Sequence, residues 1–429
     1  MNNENSKFLA DFAEVSQIGA TPGGGVERQA GTAADHATKT WLADWFAQHD
    51  FDTKFDGIGN QFGLLELVPG APYVLLGSHL DSQPLAGKFD GAYGVLAAAF
   101  AAARVAELVR SGDVVATHNL AVVNWFNEEG SRFKPSMMGS SVFTGKLDRD
   151  AALGIRDPQG VTVRAALESG GSTGEYDGPD VACYAEIHIE QGRLLERENV
   201  TIGTVHATWA ASKYEITVHG DQSHTGSTAM ADRKDALFGA ALVIVAAREI
   251  ADGFTPGKLH SSVSEALVLP NSPVVVAREV RMNLDLRSAD EAVLREANEQ
   301  LESRVAAIET RANVEITRTM THSWGVLPYQ DSGVDLAKSV ADELGLNSRR
   351  IMTVAGHDST NMKDTVPTIM LFVPSVEGIS HNEREFTNDA DCCAGVDLLT
   401  GIAVRLVQGE LSTQDAVADA TAQVGVTSR

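Results

Sequence analysis

The sequence predicts an α/β protein with two domains, in which a mostly parallel sheet is sandwiched by helices and a smaller domain is inserted into the larger one. Three observations carry this prediction. The chain has 429 residues, which exceeds the usual size of a single hydrophobic core. Predicted strands and helices alternate in the first half of the chain and again near its end. Between these parts, the strands change to a strict alternation of apolar and polar residues.

The alternating segments define the larger domain. The apolar run YVLLGS (73–78) predicts a buried strand, and the Ala-rich stretch from about 92 to 110 predicts the helix after it. This order is typical of βαβ units, whose parallel sheet is covered on both faces. Further strands and helices in the same rhythm are predicted at LAVVNWF (120–126), ACYAEIHIE (182–190), 334–344, RIMTV (350–354), TIMLFVPS (368–375) and 390–406.

The middle of the chain has a different pattern. KYEITVHG (213–220) places Tyr214, Ile216 and Val218 on one face of a strand and polar residues on the other. The order is β-α-β-β-α-β, which predicts a ferredoxin-like domain whose sheet leaves one face exposed. We therefore expect residues 1–210 and 326–429 to form the larger domain and residues 211–325 the inserted one. The six predicted segments are 213–220, 232–252, 261–269, 279–288, 290–312 and 314–320.

Composition narrows the classes of partner. The 58 Asp and Glu residues outnumber the 34 Lys and Arg residues, and the resulting net charge of −24 argues against nucleic acid or an anionic membrane as a partner. Three cysteines, Cys183, Cys392 and Cys393, make no disulfide framework, so we expect a reducing cytoplasm. The N-terminal residues lack a basic segment followed by an apolar one, so we expect no secretory signal. The apolar stretch 94–109 contains an Arg and a Glu, which suits a buried helix better than a membrane span.

A histidine and two carboxylates follow the first predicted strand. His79 and Asp81 come directly after YVLLG, at the carboxyl end of a parallel strand, where open α/β sheets carry their sites. In an extended segment both side chains point the same way, so one can bind a metal while the other holds the second imidazole N–H. Asp90 follows in a glycine-rich bend. A helix cap is the alternative for Asp90, but its position favours a metal.

Two adjacent glutamates follow the next predicted strand of this kind. In WFNEEGSRF (125–133), Glu128 and Glu129 need a proton, a basic partner or a metal ion if they are buried. The alternative is a solvated loop in which Arg132 forms a surface ion pair with them. His188 in EIHIEQG and His381 in GISHNEREFT also follow predicted strands. For a single histidine in such a place, a structural hydrogen bond is the more common role.

The combined pattern favours a metal site over these separate alternatives. Each of the five residues follows a predicted strand of one sheet, so we expect them to converge at its carboxyl edge. Histidines and carboxylates in this combination suit two zinc ions about 3.5 Å apart. Glu129 is then neutralised as a ligand, while Glu128 stays free beside the metals to take a proton from the attacking water. The five residues are His79, Asp90, Glu129, His188 and His381.

Several segments resemble the amidase/hydantoinase/carbamoylase branch of the di-zinc aminoacylase and carboxypeptidase superfamily. This branch includes N-carbamoyl-L-amino acid hydrolase, β-ureidopropionase (β-alanine synthase) and allantoate amidohydrolase. The resemblance runs from about Gly24 to the last predicted helix and implies a di-zinc aminopeptidase-like fold for the larger domain. HLDSQP, WFNEEG and GSSV most resemble β-alanine synthase. The similar segments are GSHLDSQPLAGKFDGAYGVLAA, WFNEEGSRF, EIHIEQG, VHGDQSHTGSTAMADRKDAL, AGHDS and FVPSVEGISHNE.

The resemblance implies a role for each residue of the metal centre. Asp90 bridges two metal ions, Glu128 is the general base, and Asp81 orients His79. Zinc is the implied metal, with manganese, cobalt and nickel as alternatives. The remaining ligands are His79 and His188 on one ion and Glu129 and His381 on the other.

The resemblance also implies that four residues contact the substrate, namely Gln191, His224, Arg287 and His357. Arg287 lies on the polar face of an alternating strand, where it could clamp a carboxylate through two parallel hydrogen bonds. An ion pair with an Asp on that face is the alternative. His224, in a loop of small residues before a helix, could polarise the scissile carbonyl.

One position departs from the family. The family has an Asn thirteen residues before the Arg, and Val274 stands at that place in this chain. Because a valine side chain cannot donate a hydrogen bond, the substrate loses a donor there. Asn271, three residues earlier, is the candidate replacement.

The sequence therefore predicts a di-metal amidohydrolase that cleaves a linear ureido or amide C–N bond of a small carboxylate-bearing substrate. An N-carbamoyl amino acid or β-ureidopropionate would give the amino acid, ammonia and carbon dioxide. An allantoate amidohydrolase, an N-acyl amino acid or dipeptide hydrolase, and a non-catalytic metal- or ligand-binding relative are the alternatives. The last stays open because Val274 supplies no oxyanion donor. From the resemblance we also expect the inserted domain to act as a lid and to join two chains in a homodimer, with His224 serving the neighbouring subunit.

Overall fold

A computed structural model describes residues 3–411 of the protein, so residues 1–2 and 412–429 of the predicted larger domain lie outside the described residues. The helices are α1 (Asn3–Val15), α2 (Ala33–Gln48), α3 (Ala92–Ser111), α4 (Met138–Phe143), α5 (Arg149–Gly154), α6 (Val163–Gly170), α7 (Leu194–Glu198), α8 (Ala236–Asp252), α9 (Glu291–Ala312), α10 (Asp331–Glu343), α11 (Ser359–Met362) and α12 (Asp389–Val407). The strands are β1 (Asp52–Phe55), β2 (Gln61–Leu65), β3 (Tyr73–His79), β4 (Asn119–Trp125), β5 (Val181–Ile189), β6 (Ile202–Thr208), β7 (Ala210–His219), β8 (Ser223–His224), β9 (His260–Leu269), β10 (Val275–Val276), β11 (Glu279–Ser288), β12 (Glu315–Trp324), β13 (Ser348–Thr353) and β14 (Thr368–Val373).

The chain divides into two compact units. The first falls within Met1–His206, Tyr329–Ile351 and Gly356–Arg429, and the second comprises Ala207–Pro328 and Met352–Ala355. The roles of the second unit as a lid and as a dimerisation domain stay predictions.

An eight-stranded sheet has the order β1-β2-β4-β3-β5-β14-β6-β13. Its central strands β4, β3, β5 and β14 run parallel to one another. The strands beside them are antiparallel, since β2 pairs antiparallel with β4, and β6 pairs antiparallel with β14. The predicted mostly parallel sheet is therefore confirmed.

Both faces of this sheet are covered, as the apolar runs predict. Along β3, Val74 and Leu76 belong to a large core cluster with α1, α3 and α12, while Leu75 belongs to a separate cluster on the opposite face. All three side chains are fully buried. Burial on both faces explains why these strands are mostly apolar instead of alternating.

Helix α3 is long and apolar enough to cross a membrane, but most of its residues are buried inside the protein. Its alanines let it pack closely against α12 and the sheet. The helix is therefore accounted for by packing in the core.

The second unit contains a four-stranded sheet in the order β12-β7-β11-β9, all of whose pairs are antiparallel. With α8 between β7 and β9 and α9 between β11 and β12, this is the ferredoxin-like β-α-β-β-α-β arrangement, and that prediction is confirmed. Tyr214, Ile216 and Val218 are buried in a core with α8 and α9. Lys213 and Glu215 on the other face are only partly covered or exposed.

Candidate metal centre

Parallel strands bring the candidate ligands to one edge of the large sheet. β3 ends at His79, and β5 carries His188 next to its last residue. Glu129 follows β4, and His381 lies in the loop after β14. Because β4, β3, β5 and β14 are parallel neighbours, their carboxyl ends meet at the same edge.

The Asp90 carboxylate lies between two sets of these side chains. Its Oδ1 atom is 3.5 Å from His79 Nε2 and 3.1 Å from His188 Nε2. Its Oδ2 atom is 3.2 Å from His381 Nε2, which is in turn 3.4 Å from Glu129 Oε2. Within each set the potential ligand atoms all lie within 4.8 Å of one another. Asp90 is therefore placed to share one oxygen with each set.

Main-chain carbonyls orient two of the imidazoles. His79 Nδ1 lies 3.1 Å from the carbonyl oxygen of Asp81, and His188 Nδ1 lies 2.9 Å from that of Ile189. A proton on Nδ1 satisfies each carbonyl and leaves Nε2 as the ring atom that faces Asp90. This is the arrangement that a metal-binding histidine requires. His188 Nε2 also accepts the main-chain N–H of Gly91, at 3.0 Å.

Asp81 serves the site differently from the sequence-based expectation. Its main-chain carbonyl, and not its carboxylate, makes the closer contact to His79 Nδ1, since the carboxylate oxygen is 3.6 Å away. The carboxylate instead accepts the main-chain N–H groups of Glu128, at 3.1 Å, and Glu129, at 3.3 Å. Asp81 therefore holds the segment that carries both glutamates.

Glu128 is buried and the side chain of Glu129 is 4% exposed, so the solvated-loop alternative is wrong for them. Arg132 pairs with Asp157, at 3.0 Å between Nε and Oδ2, and not with the glutamates. Glu129 Oε2 accepts from the side chain of Gln83 at 2.9 Å. Glu128 Oε2 lies 3.5 Å from His79 Nε2, beside the first set of ligands.

Burial and like charge make the two glutamates hard to ionise. Burial raises the pKa of Glu128 well above its usual value, and the nearby carboxylates of Asp358 and Glu129 raise it further. Burial and the neighbouring Asp90 raise the pKa of Glu129 to about 7. The cluster therefore has too little positive charge for its buried carboxylates.

The surrounding carboxylates also change the pKa values of two histidines, His188 and His381. Burial by itself lowers the pKa of His188 and of His381, but contact with Asp90 outweighs it and raises each pKa to about 9. Burial likewise raises the pKa of Asp90, yet hydrogen bonds to these histidines hold it well below its usual value. A metal cation would compete with the histidine protons for the same lone pairs.

The residues present fit a pair of divalent cations. The centre offers imidazole nitrogens and carboxylate oxygens, the donors that zinc prefers, in two sets joined by one carboxylate. Burial of several carboxylates together is the electrostatic condition that a bound cation relieves.

Gln191 and His357 lie beside this centre. Gln191 Nε2 donates to Asp90 Oδ2 at 2.7 Å, while its Oε1 is buried without a hydrogen-bond partner among residues 3–411. The ring of His357 lies 4.6 Å from the ring of His188. Among residues 3–411, the buried Nε2 atom of His357 also has no hydrogen-bond partner. Unsatisfied buried polar atoms are costly, and a substrate that hydrogen-bonds to them would remove that cost.

His224, Arg287 and Asn271 belong to the second unit. His224 Nδ1 accepts the main-chain N–H groups of Gly226 and Ser227, at 3.0 and 3.1 Å. Arg287 pairs with Asp285 through two hydrogen bonds of 3.0 and 2.7 Å, the alternative that the sequence left open. Asn271 is exposed and has a φ of 53°, and its role stays a prediction.

The structure adds four residues that the sequence did not single out. Gln83 contacts Glu129, Asp358 is a buried carboxylate whose charge acts on Glu128, and Ser380 and Glu385 contact the Asp90 loop. Gln83, Asp358 and Ser380 lie inside segments that carry the family resemblance, so their neighbourhood was the available signal. Glu385 lies just outside the last of those segments.

Known proteins that are similar to this chain identify its family. The model of peptidase family M20/M25/M40 matches residues 75–405. A hydrolase of Mycolicibacterium smegmatis is 56% identical, covering 96% of this chain and 95% of the relative. The N-carbamoyl-L-amino-acid amidohydrolase of Rhizobium meliloti is 32% identical, and the match covers 92% of this chain and 96% of the relative. The allantoate amidohydrolase of Bacillus subtilis is 30% identical, and the match covers 93% of this chain and 97% of the relative.

A solved structure extends the comparison to the fold. The amidase of the hydantoinase/carbamoylase family from Burkholderia vietnamiensis is 34% identical, has a TM-score of 0.88, and matches over 95% of this chain and 98% of its own. The match covers nearly the whole of both chains. The chain therefore belongs to the metal-dependent M20/M25/M40 peptidase family, with hydantoinase/carbamoylase amidases as relatives, and is a hydrolase of C–N bonds.

Proposed function

We propose that the protein hydrolyses the ureido C–N bond of N-carbamoyl amino acids, β-ureidopropionate among them, to the amino acid, ammonia and carbon dioxide. The observation that carries this proposal is the two-sided contact of Asp90, with Glu128 beside the first set of ligands. The N-carbamoyl-L-amino-acid amidohydrolase relative supports the substrate class.

Two divalent ions, zinc in the first place, would complete the centre. His79, His188 and Asp90 Oδ1 would hold one, and Glu129, His381 and Asp90 Oδ2 the other. Such ions, when bound, polarise a carbonyl and lower the pKa of water.

Glu128 would move the proton. Its carboxylate takes a proton from the attacking water and passes it to the departing nitrogen. Burial raises the pKa of the Glu128 carboxyl, and a higher pKa makes its carboxylate a stronger base toward the attacking water. The Asp81 carboxylate fixes the main chain at Glu128, so the base keeps its position during the transfer.

His224 would stabilise the developing oxyanion. Because its Nδ1 accepts two main-chain N–H groups, the imidazole proton is on Nε2, which then points away as a donor. Val274 has no donor to add, so Asn271 is the proposed replacement. In a homodimer His224 would serve the neighbouring subunit.

Arg287 would hold the substrate carboxylate, with Gln191 and His357 contacting the ureido group. Asp285 engages Arg287 through Nε and Nη2, so a substrate carboxylate would take the place of Asp285 in this two-pronged pair.

We expect Arg287→Ala to raise KM for carboxylate-bearing substrates by about 10–100-fold, because a hydrogen bond to a charged group contributes about 1.5–3 kcal/mol. Uncharged amides should keep their KM. Arg281→Ala is the matched control, since Arg281 lies on the same strand and pairs with Glu279. Steady-state kinetics on both substrate types decide the matter, and an equal loss on uncharged amides would refute the carboxylate clamp.

A substrate panel separates the related activities. Ammonia release should be fastest from an N-carbamoyl amino acid, whereas an allantoate hydrolase would prefer allantoate, and an aminoacylase or dipeptidase would release an amine or amino acid without ammonia. The kcat/KM values over this panel test the proposal. Higher values for allantoate or for N-acyl compounds would replace it.

We also propose a homodimer formed through the second unit. Leu237, Phe238, Ile244 and Val245 of α8 are 42–51% exposed and form an apolar stripe at helical spacing. Helix α8 packs against β9, which is an edge strand of the four-stranded sheet. A second copy of the chain can cover the apolar stripe.

Val245→Asp is expected to convert the dimer to a monomer, because it places a charge in the proposed apolar contact. Light scattering coupled to gel filtration measures the mass. Val115→Asp, at a 75% exposed valine of the first unit, is the control and should leave the mass unchanged. A Val245→Asp variant that stays dimeric would exclude this surface.

The three cysteines are buried and unbridged, which is compatible with a reducing compartment. With the acidic net charge, this supports a cytoplasmic enzyme that acts on a small molecule and not on nucleic acid or a membrane.

A further inference from the structure

Glu385 connects the two loops that carry Asp90 and His381. It is 4% exposed, and its Oε1 atom accepts the main-chain N–H groups of Phe89, at 2.8 Å, and Asp90, at 3.0 Å. Glu385 lies in the same loop as His381, so its side chain ties that loop to the start of α3. One carboxylate thus fixes the main chain on both sides of the second ligand set.

The Ser380 hydroxyl lies between the carboxylates of Glu385 and Asp90, and its one proton is donated to one of them at a time. Ser380 Oγ lies 2.9 Å from Glu385 Oε2 and 2.9 Å from Asp90 Oδ2. Gln191 Nε2 donates to the same Asp90 oxygen, at 2.7 Å, and to Ser380 Oγ, at 3.0 Å. These contacts converge on Oδ2, the oxygen that faces His381 and Glu129, and none of them is to Oδ1.

The main chain is shaped to admit Glu385. A Cβ atom at Gly87 would lie 2.1 Å from Glu385 Oε1 and 2.3 Å from its Cβ, so only glycine allows this approach. Burying another carboxylate next to Asp90 costs free energy, which a purely structural contact would not require.

We propose that Glu385 is a positioning residue that sets the orientation of Asp90 Oδ2 toward His381 and Glu129, and so determines affinity for the second metal ion more than for the first. The inference rests on the proposed two-metal centre. It adds that Glu385 supports the binding of the second ion and not that of the first.

The test is metal titration of the metal-stripped protein with zinc in competition with a chromophoric chelator. Glu385→Ala should weaken the second zinc by about 10–100-fold, the usual effect of losing a residue that supports a ligand, and leave the first unchanged. His381→Ala identifies which binding step belongs to the second set. Glu385→Gln keeps an oxygen for the two N–H groups and should fall between alanine and the unmodified protein.

Glu383→Ala is the matched control. Glu383 is a carboxylate on the same loop, two residues earlier, and contacts the Thr21 hydroxyl, so zinc binding should be unchanged. Thermal unfolding of the metal-free variants detects a general loss of structure. If the alanine variant is unfolded, Glu385→Gln against Glu383→Gln makes the same comparison.

Unchanged affinity for both ions in Glu385→Ala, or an equal loss of both ions, would overturn the inference. An unmodified protein that binds no metal would overturn the two-metal centre itself. The two failures are thereby distinguished.

Discussion

Glu128→Gln is expected to lower turnover by about 10²–10⁴-fold, the range that general acid–base catalysis contributes, while the metal content stays the same. Glutamine has the same size and hydrogen-bonds through the same main-chain N–H to Asp81, but it cannot accept and return a proton. Steady-state turnover and metal content are measured on the same protein sample.

Glu129→Gln is the contrasting variant. Glu129 is the next residue in the sequence, but it belongs to the second ligand set, with its Oε2 atom 3.4 Å from His381 Nε2. The variant should lose one metal ion as well as turnover. The pair separates the two roles, since only the Glu129 variant changes the metal count. Full turnover in Glu128→Gln would remove Glu128 from the mechanism.

Removal of the metal is expected to abolish turnover. Dialysis against a chelator should reduce the rate to background, and two equivalents of zinc should restore it, because a bound divalent ion would polarise the carbonyl and lower the pKa of the attacking water. Manganese, cobalt and nickel are tested beside zinc, and the ion that gives the highest kcat/KM identifies the best activator.

Stripped protein should remain folded, because its hydrophobic cores do not include the ligands, and circular dichroism checks this. Undiminished turnover in protein shown to contain no metal would contradict the two-metal centre. Recovery with one equivalent would show that a single ion suffices.

Long buried strands and long helices could be predicted from the sequence, because each has a strong pattern. β3, β5 and α3 are mostly apolar, and β7 alternates. The first two helices were not predicted. In α2, Lys39 and Asp35 form an ion pair while both are 2% exposed, and charges on a buried face hide the helical pattern. Elements as short as β8 and β10, of two residues each, carry no periodicity at all.

The convergence of candidate ligands could be anticipated from the order of strands, because parallel strands end at one edge. The supporting contacts could not. No sequence pattern indicates that the main-chain carbonyl of Asp81 orients His79, or that Glu385 accepts N–H groups from residues 295 and 296 positions earlier. Such contacts depend on how loops fold over one another, as the close approach at Gly87 illustrates.

A crystal structure of the zinc-loaded protein, with anomalous data at the zinc edge, tests the central claim most directly. The account predicts two peaks, one among His79, Asp90 Oδ1 and His188 and the other among Asp90 Oδ2, Glu129 and His381. Their separation should be about 3.5–4 Å. Zinc bound elsewhere, or no peak beside Asp90, would contradict it.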